Sequence, residues 1–523
     1  MSLKRAKTIM IQGTASDVGK SVLTTALCRI FVRDGLKVAP YKSQNMALNS
    51  YVTLDGKEIG RAQGVQAEAC GIAATTDMNP ILIKPTREMT AQIVVHGKPH
   101  EEMSARRYRE EYLPLAAGIV KEALERLRSQ YDVVVIEGAG SPAEINLKSR
   151  DIVNMRMAEW ADAPVVLVSD IDRGGVFASI VGTLELLEPH ERSRVKGFII
   201  NKFRGDISLL QPGLDWLEQR TGIPVLGVIP HLPSLDIEAE DSVVLERPQS
   251  AAETAGKDVD IAVIRLPRIS NFTDFDPLAA EPDVSVRYVQ SADQLHEPDI
   301  VILPGSKNTL DDLAFLRQSG LAGAIDRLAA SGCRLVGICG GYQMLGRKLS
   351  DPFQVESEQG EAEGLGYLPL ETLFYKEKRT ERVSGIVACR HPEWSGRQGI
   401  PVEGYEIHMG QTTRLEAVHS LFSLQDREDG AISEDGRIWG TYVHGIFHND
   451  AFRRHWLDGV RKAKGLEALE TVLSFRSRQS LAFDRLAEHV RAHLDMNKLY
   501  GIAGLAPYEA ASQKEAADLR KKL

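Results

Sequence analysis

One cysteine stands in a setting that suits a nucleophile. The stretch "LVGICGGYQMLG" (335–346) places Cys339 between an apolar, strand-like run and a glycine pair that opens a helix-like segment. Such a strand-to-helix turn exposes its central side chain and directs backbone N–H groups at an incoming carbonyl. The positive end of a helix dipole favours an anion, and the thiolate is the reactive form of a cysteine. The pattern predicts a nucleophile at Cys339; the alternative is a packed, inert thiol.

A nucleophile of this kind needs a base and an oxyanion site. His444, in "WGTYVHGIFHND" (439–450), is the candidate base although it follows Cys339 by 105 residues, because such pairs are often distant in sequence and adjacent in the fold. The predicted oxyanion donors are the N–H of Gly340 and one N–H from the "LPGS" turn (303–306), at Gly305 or Ser306.

A second site near the N-terminus has the pattern of a phosphate-binding loop. In "IQGTASDVGKSVLTTAL" (11–27) a strand-like run leads into a glycine-containing loop and then a helix-like segment. Backbone N–H groups of such a loop hold phosphate oxygens, the lysine reaches the β/γ-phosphates and the serine hydroxyl ligates Mg²⁺. Gly13 lies six positions before Gly19 rather than five; the alternative is a glycine turn that caps a helix. The predicted ATP-binding residues are Thr14, Asp17, Val18, Gly19, Lys20 and Ser21, with Ser21 also a metal ligand.

Two further strand ends carry candidate ligands for the same site. Glu137 ends the run "VVVIEGAG" (133–140), where a carboxylate beside the loop would give Mg²⁺ its second protein contact, or would be an exposed turn residue. Asp170 also ends a strand, as a metal or switch residue or an N-cap. Asn201, in "IINKFRGD" (199–206), is a candidate ATP-binding residue that would contact the adenine base.

Composition bounds the class of protein. The 523 residues carry 63 Lys and Arg against 72 Asp and Glu, a net charge of −9, which argues against a nucleic-acid partner. No apolar run approaches the ~18 residues that span a bilayer. The five scattered cysteines lack a CxxC pair and predict neither a disulfide framework nor a zinc site. With no signal-peptide core, we expect a cytoplasmic protein without a membrane partner.

The sequence predicts two series of βαβ units as the elements that position these residues. The length predicts two or three domains. Short apolar runs, separated by helix-length segments, predict buried parallel sheets; they lie at 7–13, 37–42, 131–138, 163–170, 195–202 and 223–230, and then at 260–268, 285–290, 299–306 and 333–341. We therefore predict an α/β domain at 1–245, a linker at 246–259, a second α/β domain at 260–505 and a charged tail at 506–523.

These motifs resemble known families. The long phosphate loop resembles that of dethiobiotin synthetase and its relatives, ATP-dependent enzymes that activate carboxylates. The elbow, the distant histidine and the LPGS turn resemble a class I glutamine amidotransferase domain, in which cysteine releases ammonia from glutamine. With "PYKSQNMALNS" (40–50), "EIGRAQGVQAEA" (58–69) and "MNPILIKP" (78–85), nearly the whole chain is similar to the cobyrinic/cobyric acid synthase amidotransferase family.

The resemblance implies a fold and a reaction. A P-loop, dethiobiotin-synthetase-like parallel-sheet domain is followed by a class I glutamine amidotransferase α/β domain. The implied activity is amidation of corrinoid side-chain carboxylates (b, d, e and g), which converts adenosylcobyrinic acid a,c-diamide to adenosylcobyric acid in cobalamin biosynthesis, with ATP, Mg²⁺ and L-glutamine. Lys42, Gln44 and Asn45 are candidate substrate contacts, since their amide-rich segment suits a ligand bearing amides and carboxylates.

Two alternatives stay open. Cobyrinic acid a,c-diamide synthase has the same architecture, although "QNMALNS" (44–50) argues against it. A non-enzymatic P-loop ATPase switch is the alternative from another class; it needs no cysteine elbow, so hydrolysis of free glutamine distinguishes it.

One position departs from the amidotransferase pattern. Typical members carry a glutamate two residues after the catalytic histidine, where this chain has Ile446; the lack is a feature of the cobyrinic and cobyric acid synthase subgroup. Glu403, Glu406 and His408 are conceivable substitutes, although we expect them rather to shape the glutamine pocket or a domain contact. The departure predicts slow glutamine hydrolysis without ATP and corrinoid.

Overall fold

The computed structural model describes residues 5–87, 90–233, 235–238, 256–470 and 472–506. Residues 246–255 of the predicted linker and residues 507–523 of the predicted tail lie outside this range. We call residues 5–238 the first half and residues 256–470 the second half.

The first half is built on a parallel sheet, as its apolar runs predict. In spatial order its six strands are Val225–Pro230, Val195–Phe203, Val165–Asp170, Lys7–Gly13, Val133–Glu137 and Val38–Tyr41. The α-helices between and around them are Lys20–Arg33, Arg61–Ala69, Ala105–Arg107, Leu113–Arg128, Met155–Ala161, Val176–Leu186, Pro189–Arg192 and Ile207–Thr221. Because all six strands run the same way, the P-loop (residues 13–21) and Glu137 meet at their carboxyl ends.

A hairpin layer that the sequence did not reveal sits beside this sheet. Strands Gln44–Met46, Ile81–Arg87, Thr90–Val95 and Lys98–Ser104 form a four-stranded sheet, and Ser50–Val52 pairs with Glu58–Gly60. A π-helical turn, Tyr108–Tyr112, leads from the hairpin into the helix Leu113–Arg128. The layer places the amide-rich segment 40–50 between the P-loop and the second half.

The second half repeats the parallel arrangement. Its strands, in spatial order, are Val284–Val289, Val259–Ile264, Ile300–Leu303, Arg334–Ile338, Ile438–Thr441 and Ala431–Ile432, the last of them antiparallel. The α-helices are Asp276–Ala279, Thr309–Gln318, Leu321–Ala330, Gly340–Met344 and Asp450–Ala463. The predicted fold class, two α/β units with parallel sheets, is confirmed.

A second sheet covers the region near the cysteine. It is dominated by a long antiparallel pair, Leu370–Val387 and Pro401–Arg414, joined by Lys348–Ser350, Glu361–Glu363, Phe422–Leu424 and Glu428–Asp429. A two-stranded pair, Ile269–Ser270 with Gly305–Ser306, lies beside the elbow. Through Tyr405 the long pair also meets the backbone of His444.

The last described helices, Phe475–Ala492 and Met496–Ile502, return to the first half. Their apolar side chains share a core with the strand Lys7–Gly13 and the helix Lys20–Arg33; the contributing residues are Leu486, Ala487, Val490, Leu494, Met496, Leu499, Tyr500 and Ala503. The prediction that residues 260–505 form one domain did not foresee this packing. Within the described residues, no helix is both long and apolar enough to cross a membrane.

Candidate functional site

Cys339 occupies a strained turn between the strand Arg334–Ile338 and the helix Gly340–Met344. Its φ of 51° and ψ of −105° lie outside the regions that non-glycine residues favour. The helix packs so closely on the next strand that a Cβ on Gly341 would lie 1.9 Å from the Leu303 carbonyl oxygen. The glycine pair therefore permits the turn, and the turn aims the thiol.

Neighbouring strand ends bring His444 to this thiol. Ile338 pairs with Thr441, and the Cys339 N–H donates to the Thr441 carbonyl at 2.8 Å. Three residues further on, the fully buried imidazole of His444 lies close to the Cys339 sulfur. The predicted nucleophile and base are therefore in contact.

A third residue, which the sequence did not reveal, holds the imidazole in place. His444 Nδ1 donates to Asp274 Oδ2 at 2.6 Å, and the Gly445 N–H donates to the other oxygen at 3.0 Å. Asp274 is buried in the short turn Phe272–Phe275, which follows the pair strand Ile269–Ser270. It supplies the carboxylate that is absent at Ile446, so the reason for expecting slow glutamine hydrolysis no longer holds.

The three substitutes considered from the sequence have other partners. Glu406 accepts from His408 Nε2 at 3.1 Å and from Arg427 at 2.8 Å. Glu403 is exposed and pairs with Arg476, and the His408 ring stacks on Tyr442 with centroids 3.8 Å apart. In the described part of the chain it is Asp274 that orients His444, which corrects the substitutes Glu403, Glu406 and His408.

The surroundings of His444 favour its charged form. Burial lowers the pKa of the imidazole, but the Asp274 carboxylate and the Cys339 sulfur together outweigh it and raise the pKa to about 10. At neutral pH His444 therefore carries a proton that it can deliver to a leaving group.

The predicted oxyanion glycines lie on either side of this pair. A Cβ on Gly305 would lie 3.1 Å from His444 Cε1, and one on Gly340 would lie 2.9 Å from the Ser306 nitrogen. The LPGS turn and the elbow are thus in close contact. Their predicted role as oxyanion donors stays a prediction.

The P-loop in the first half has the shape of a phosphate cradle. Asp17 and Gly19 take positive φ values of 57° and 98°, which turn the backbone before the helix Lys20–Arg33. Lys20 Nζ folds over the loop and donates to the carbonyls of Ala15 (2.9 Å) and Gly140 (3.0 Å). Thr14 is anchored by a hydrogen bond between its hydroxyl and that of Ser169.

Asn201 supports this loop from a neighbouring strand. Its Nδ2 donates to the Val18 carbonyl at 2.8 Å, and a Cβ on Gly19 would collide with the same amide. Asp170 pairs with Lys202, which also donates to the Asp17 carbonyl. These contacts make Asn201 and Asp170 supports of the loop.

Glu137 gathers the polar groups around the P-loop. It is 1% exposed; its Oε1 accepts from Ser21 Oγ (2.8 Å) and Lys42 Nζ (2.9 Å), and its Oε2 accepts from Gln66 Nε2 (2.6 Å). A hydroxyl beside a carboxylate is the oxygen donor set that Mg²⁺ prefers. The described residues contain no cluster of three or more His, Cys, Asp or Glu that could hold a metal. Ser21 and Glu137 therefore offer two oxygen atoms of the kind that a magnesium ion beside bound phosphate would use.

The candidate substrate residues lie in different places. Lys42 belongs to the Glu137 cluster. Gln44 accepts from the Tyr108 hydroxyl in the wall of a cavity of about 480 Å³ that reaches Gly140. Asn45 is buried and donates to Gln63 Oε1 at 3.0 Å. The cavity is lined mainly by apolar side chains, among them Ile83, Ile93, Met103, Leu113 and Met155.

The two halves meet through buried polar contacts. Glu58 of the first half pairs with Lys84 (2.6 Å) and with Lys378 of the long antiparallel pair. Burial lowers the pKa of Lys378 to about 7, because the attraction of Glu58, which Lys84 shares, does not compensate for the lost hydration. A few residues away the Ser50 N–H donates to Asn271 Oδ1 at 2.8 Å. The cysteine site is thus joined directly to the first half.

Comparison with known proteins follows this division into halves. A family described as the CobQ/CobB/MinD/ParA nucleotide binding domain matches residues 9–244, and the CobB/CobQ-like glutamine amidotransferase domain matches residues 260–452. A cobyric acid synthase from Desulforamulus reducens is 56% identical over 507 residues, which cover 96% of this chain and 98% of the relative. This chain belongs to the cobyric acid synthase family.

Other members agree over the same length. A cobyric acid synthase from a Geobacillus species is 55% identical over 95% of this chain and 98% of the relative. One from Dehalococcoides mccartyi is 54% identical, again over 95% and 98%. The family accounts for both halves together.

Proposed function

We propose that this chain is an ATP- and glutamine-dependent amide ligase that converts adenosylcobyrinic acid a,c-diamide to adenosylcobyric acid in cobalamin biosynthesis, by amidating the b, d, e and g carboxylates. The support is membership of the cobyric acid synthase family over nearly the full length, together with a cysteine site and a phosphate loop in one molecule. The a,c-diamide synthase alternative has no such support among these relatives.

In the second half, Cys339 is the nucleophile for glutamine. Its sulfur attacks the side-chain amide carbon, and the N–H groups of Gly305 and Gly340 take the charge that develops on the oxygen. His444 gives its proton to the departing nitrogen, so ammonia leaves and a glutamyl thioester remains. His444 then accepts a proton from the water that hydrolyses the thioester, while Asp274 keeps the ring in place.

In the first half, the P-loop residues hold ATP while a corrinoid carboxylate oxygen attacks the γ-phosphorus, so that ADP leaves and an acyl phosphate forms. Ammonia then attacks the acyl carbon, phosphate leaves and the amide remains. Lys20, released from the carbonyls of Ala15 and Gly140, balances the charge on the transferring phosphoryl group. Ser21 and Glu137 would hold Mg²⁺, which supplies further charge neutralisation at the phosphates. Lys42, beside Glu137, lies where it can bind the reacting carboxylate or a phosphate oxygen.

The cavity beside Gly140 is the proposed corrinoid site. Its apolar side chains suit the face of a macrocycle, and Gln44, Ser141 and Asn154 place amide and hydroxyl groups in its wall for the peripheral side chains. Its contact with Gly140, which also binds Lys20, puts a carboxylate held there close to the P-loop.

Ammonia released at Cys339 must reach the acyl phosphate without being protonated in bulk water, so we propose a protected path between the halves. Buried amide side chains lie in this direction: Asn45 bonds Gln63, and Gln66 on the same helix bonds Glu137.

The observation that carries the proposal is the buried grouping of Cys339, His444 and Asp274, in which Asp274 hydrogen-bonds the imidazole beside the sulfur; a P-loop switch would not need it. The test is to incubate the protein with Mg²⁺, ATP, glutamine and the adenosylated a,c-diamide, and to read the corrinoid mass. Exchange of hydroxyl for amino at four carboxyls is expected. Amidation of cobyrinic acid only as far as the diamide would support the alternative synthase, and ATP hydrolysis without release of glutamate would support the switch.

A further inference from the structure

Asn271 lies between the base of the cysteine site and the first half of the chain. It is 2% exposed and precedes the turn that carries Asp274. Its φ of 53° is in the left-handed region, which costs free energy for a residue with a Cβ. Glycine would adopt this backbone at a lower cost in free energy, so we expect the side chain of Asn271 to have a role.

The two ends of its amide face different halves. Oδ1 accepts from the Ser50 N–H at 2.8 Å, across the boundary between the halves, and Nδ2 lies 3.4 Å from His444 Nε2. Because Oδ1 is held by an N–H donor, the amide is fixed with its own N–H groups toward the imidazole.

We propose that Asn271 is a positioning residue for glutamine hydrolysis, through which the Ser50 segment of the first half controls proton transfer at His444. This inference deepens the proposed function and rests on it.

The chemistry follows from which atoms carry protons. While Nε2 holds its proton, the N–H group of Asn271 3.4 Å away faces a second donor, and the contact is unfavourable. Once His444 has passed the proton to the departing nitrogen, Nε2 has a free lone pair and can accept from Nδ2. The contact therefore stabilises the product of the proton transfer and favours release of ammonia.

The orientation of the amide decides the direction of this effect. If the amide turned over, Oδ1 would face Nε2 and would stabilise the imidazolium instead, which retains the proton. The Ser50 N–H prevents that turn. Asp274, Cys339 and the stacked Tyr405 are the ionisable groups against the ring. Tyr405 packs on Val52 of the first half, whereas the amide of Asn271 is hydrogen-bonded to it.

Two variants of the full-length protein separate this role from simple packing. Asn271→Gly suits the left-handed backbone and removes both contacts. Asn271→Asp keeps an oxygen for Ser50 but turns a second oxygen toward Nε2. We expect both to lower kcat for glutamine hydrolysis by about tenfold to a hundredfold, with the glutamine KM within about twofold and with ammonium-dependent amidation as in the wild type.

Arg382→Ala is the matched control. Arg382 of the second half donates to the Val52 carbonyl at 3.0 Å, so this variant removes a contact between the halves near Ser50 but leaves His444 alone. Its kcat for glutamine should stay close to that of the wild type.

The remaining outcomes would overturn the inference. Near-normal kcat in Asn271→Asp with loss in Asn271→Gly would make Asn271 a packing contact only, and so would an equal loss in Arg382→Ala or a joint loss of both activities. Normal glutamine hydrolysis in both Asn271 variants would remove the role altogether. A wild type that hydrolyses no glutamine would overturn the proposed function as well, which distinguishes the two failures.

Discussion

The sulfur of Cys339 is needed only to free ammonia, so its removal should separate the two reactions. In Cys339→Ser the hydroxyl lacks the nucleophilicity of the thiolate. We expect loss of glutamine-dependent amidation and retention of amidation with concentrated ammonium salt at alkaline pH, both measured by corrinoid mass. The four other cysteines of the chain are buried, and Cys333→Ser, in the same half, is the control. Retained activity with glutamine would identify Cys339 as an inert thiol.

The carboxylate of Asp274 should set the upper pH limit of glutamine hydrolysis. With Asp274 present the pKa of His444 is about 10, so the imidazolium that donates the proton persists until the pH approaches that value. Asp274→Asn removes the negative charge and lowers this pKa. We expect kcat to fall by at least about a hundredfold and the basic limb of the kcat profile to move down by roughly one to three pH units. An unchanged basic limb would mean that Asp274 only shapes the turn.

Glu137 should govern Mg²⁺ use more than nucleotide binding. A neutral amide is a poor ligand for a hard cation, so Glu137→Gln should raise the Mg²⁺ concentration for half-maximal activity by about tenfold, while the ATP dissociation constant changes less. Glu159→Gln, at an exposed position of the helix Met155–Ala161 in the same half, is the control. A Mg²⁺ titration that matches the wild type would make Glu137 structural, as the holder of Lys42 and Gln66.

At the scale of elements, the helix Met496–Ile502 stabilises the first half. Leu499 is fully buried in the core shared with the first strand, so Leu499→Ala should lower the free energy of unfolding of the first half by about 2–5 kcal/mol. Hydrogen exchange should rise in the strands Lys7–Gly13 and Val225–Pro230 and stay unchanged in Arg334–Ile338. Leu481→Ala, at a 69% exposed position, is the control. Faster exchange confined to the second half would contradict this placement.

At the scale of the whole molecule, the Lys378–Glu58 pair ties the long antiparallel strands to the hairpin layer of the first half. Lys378→Met keeps a side chain of similar volume and leaves Glu58 paired with Lys84. Glutamine hydrolysis in the second half and the ATP-dependent step in the first half should therefore each continue. We expect fewer amides formed per glutamine hydrolysed, by several-fold, because the seal between the halves is weakened. Lys348→Met is the control: it removes a half-exposed ion pair with Glu361 inside the second half and should leave this ratio unchanged. An unchanged ratio in Lys378→Met would mean that the Lys378–Glu58 pair has no part in ammonia transfer.

The sequence by itself determined the local features. The six strands of the first sheet and four of the six in the second read as short apolar runs, so they were predictable within a few residues. The strands Ala431–Ile432 and Ile438–Thr441 were not predicted. The P-loop and the elbow could be located because their glycines and their Lys-Ser or Cys residues are consecutive in the chain. Cys339 and His444 could be paired because an elbow requires a base, and both stand at strand ends.

Only the tertiary structure decided which distant groups meet. Asp274 lies 170 residues before His444. In "SNFTDFDPL" (270–278) no local feature distinguishes Asp274 from Asp276 as the partner of a histidine. The one available hint was its position after the first strand of the second series. Lys42 and Gln66 could not be joined to Glu137, nor Asn271 to Ser50, because these contacts depend on how separate loops and both halves pack. The packing of the helices after residue 474 on the first half was unpredictable for the same reason. An apolar helix face indicates that the helix is buried, but the sequence does not show which part of the molecule covers that face.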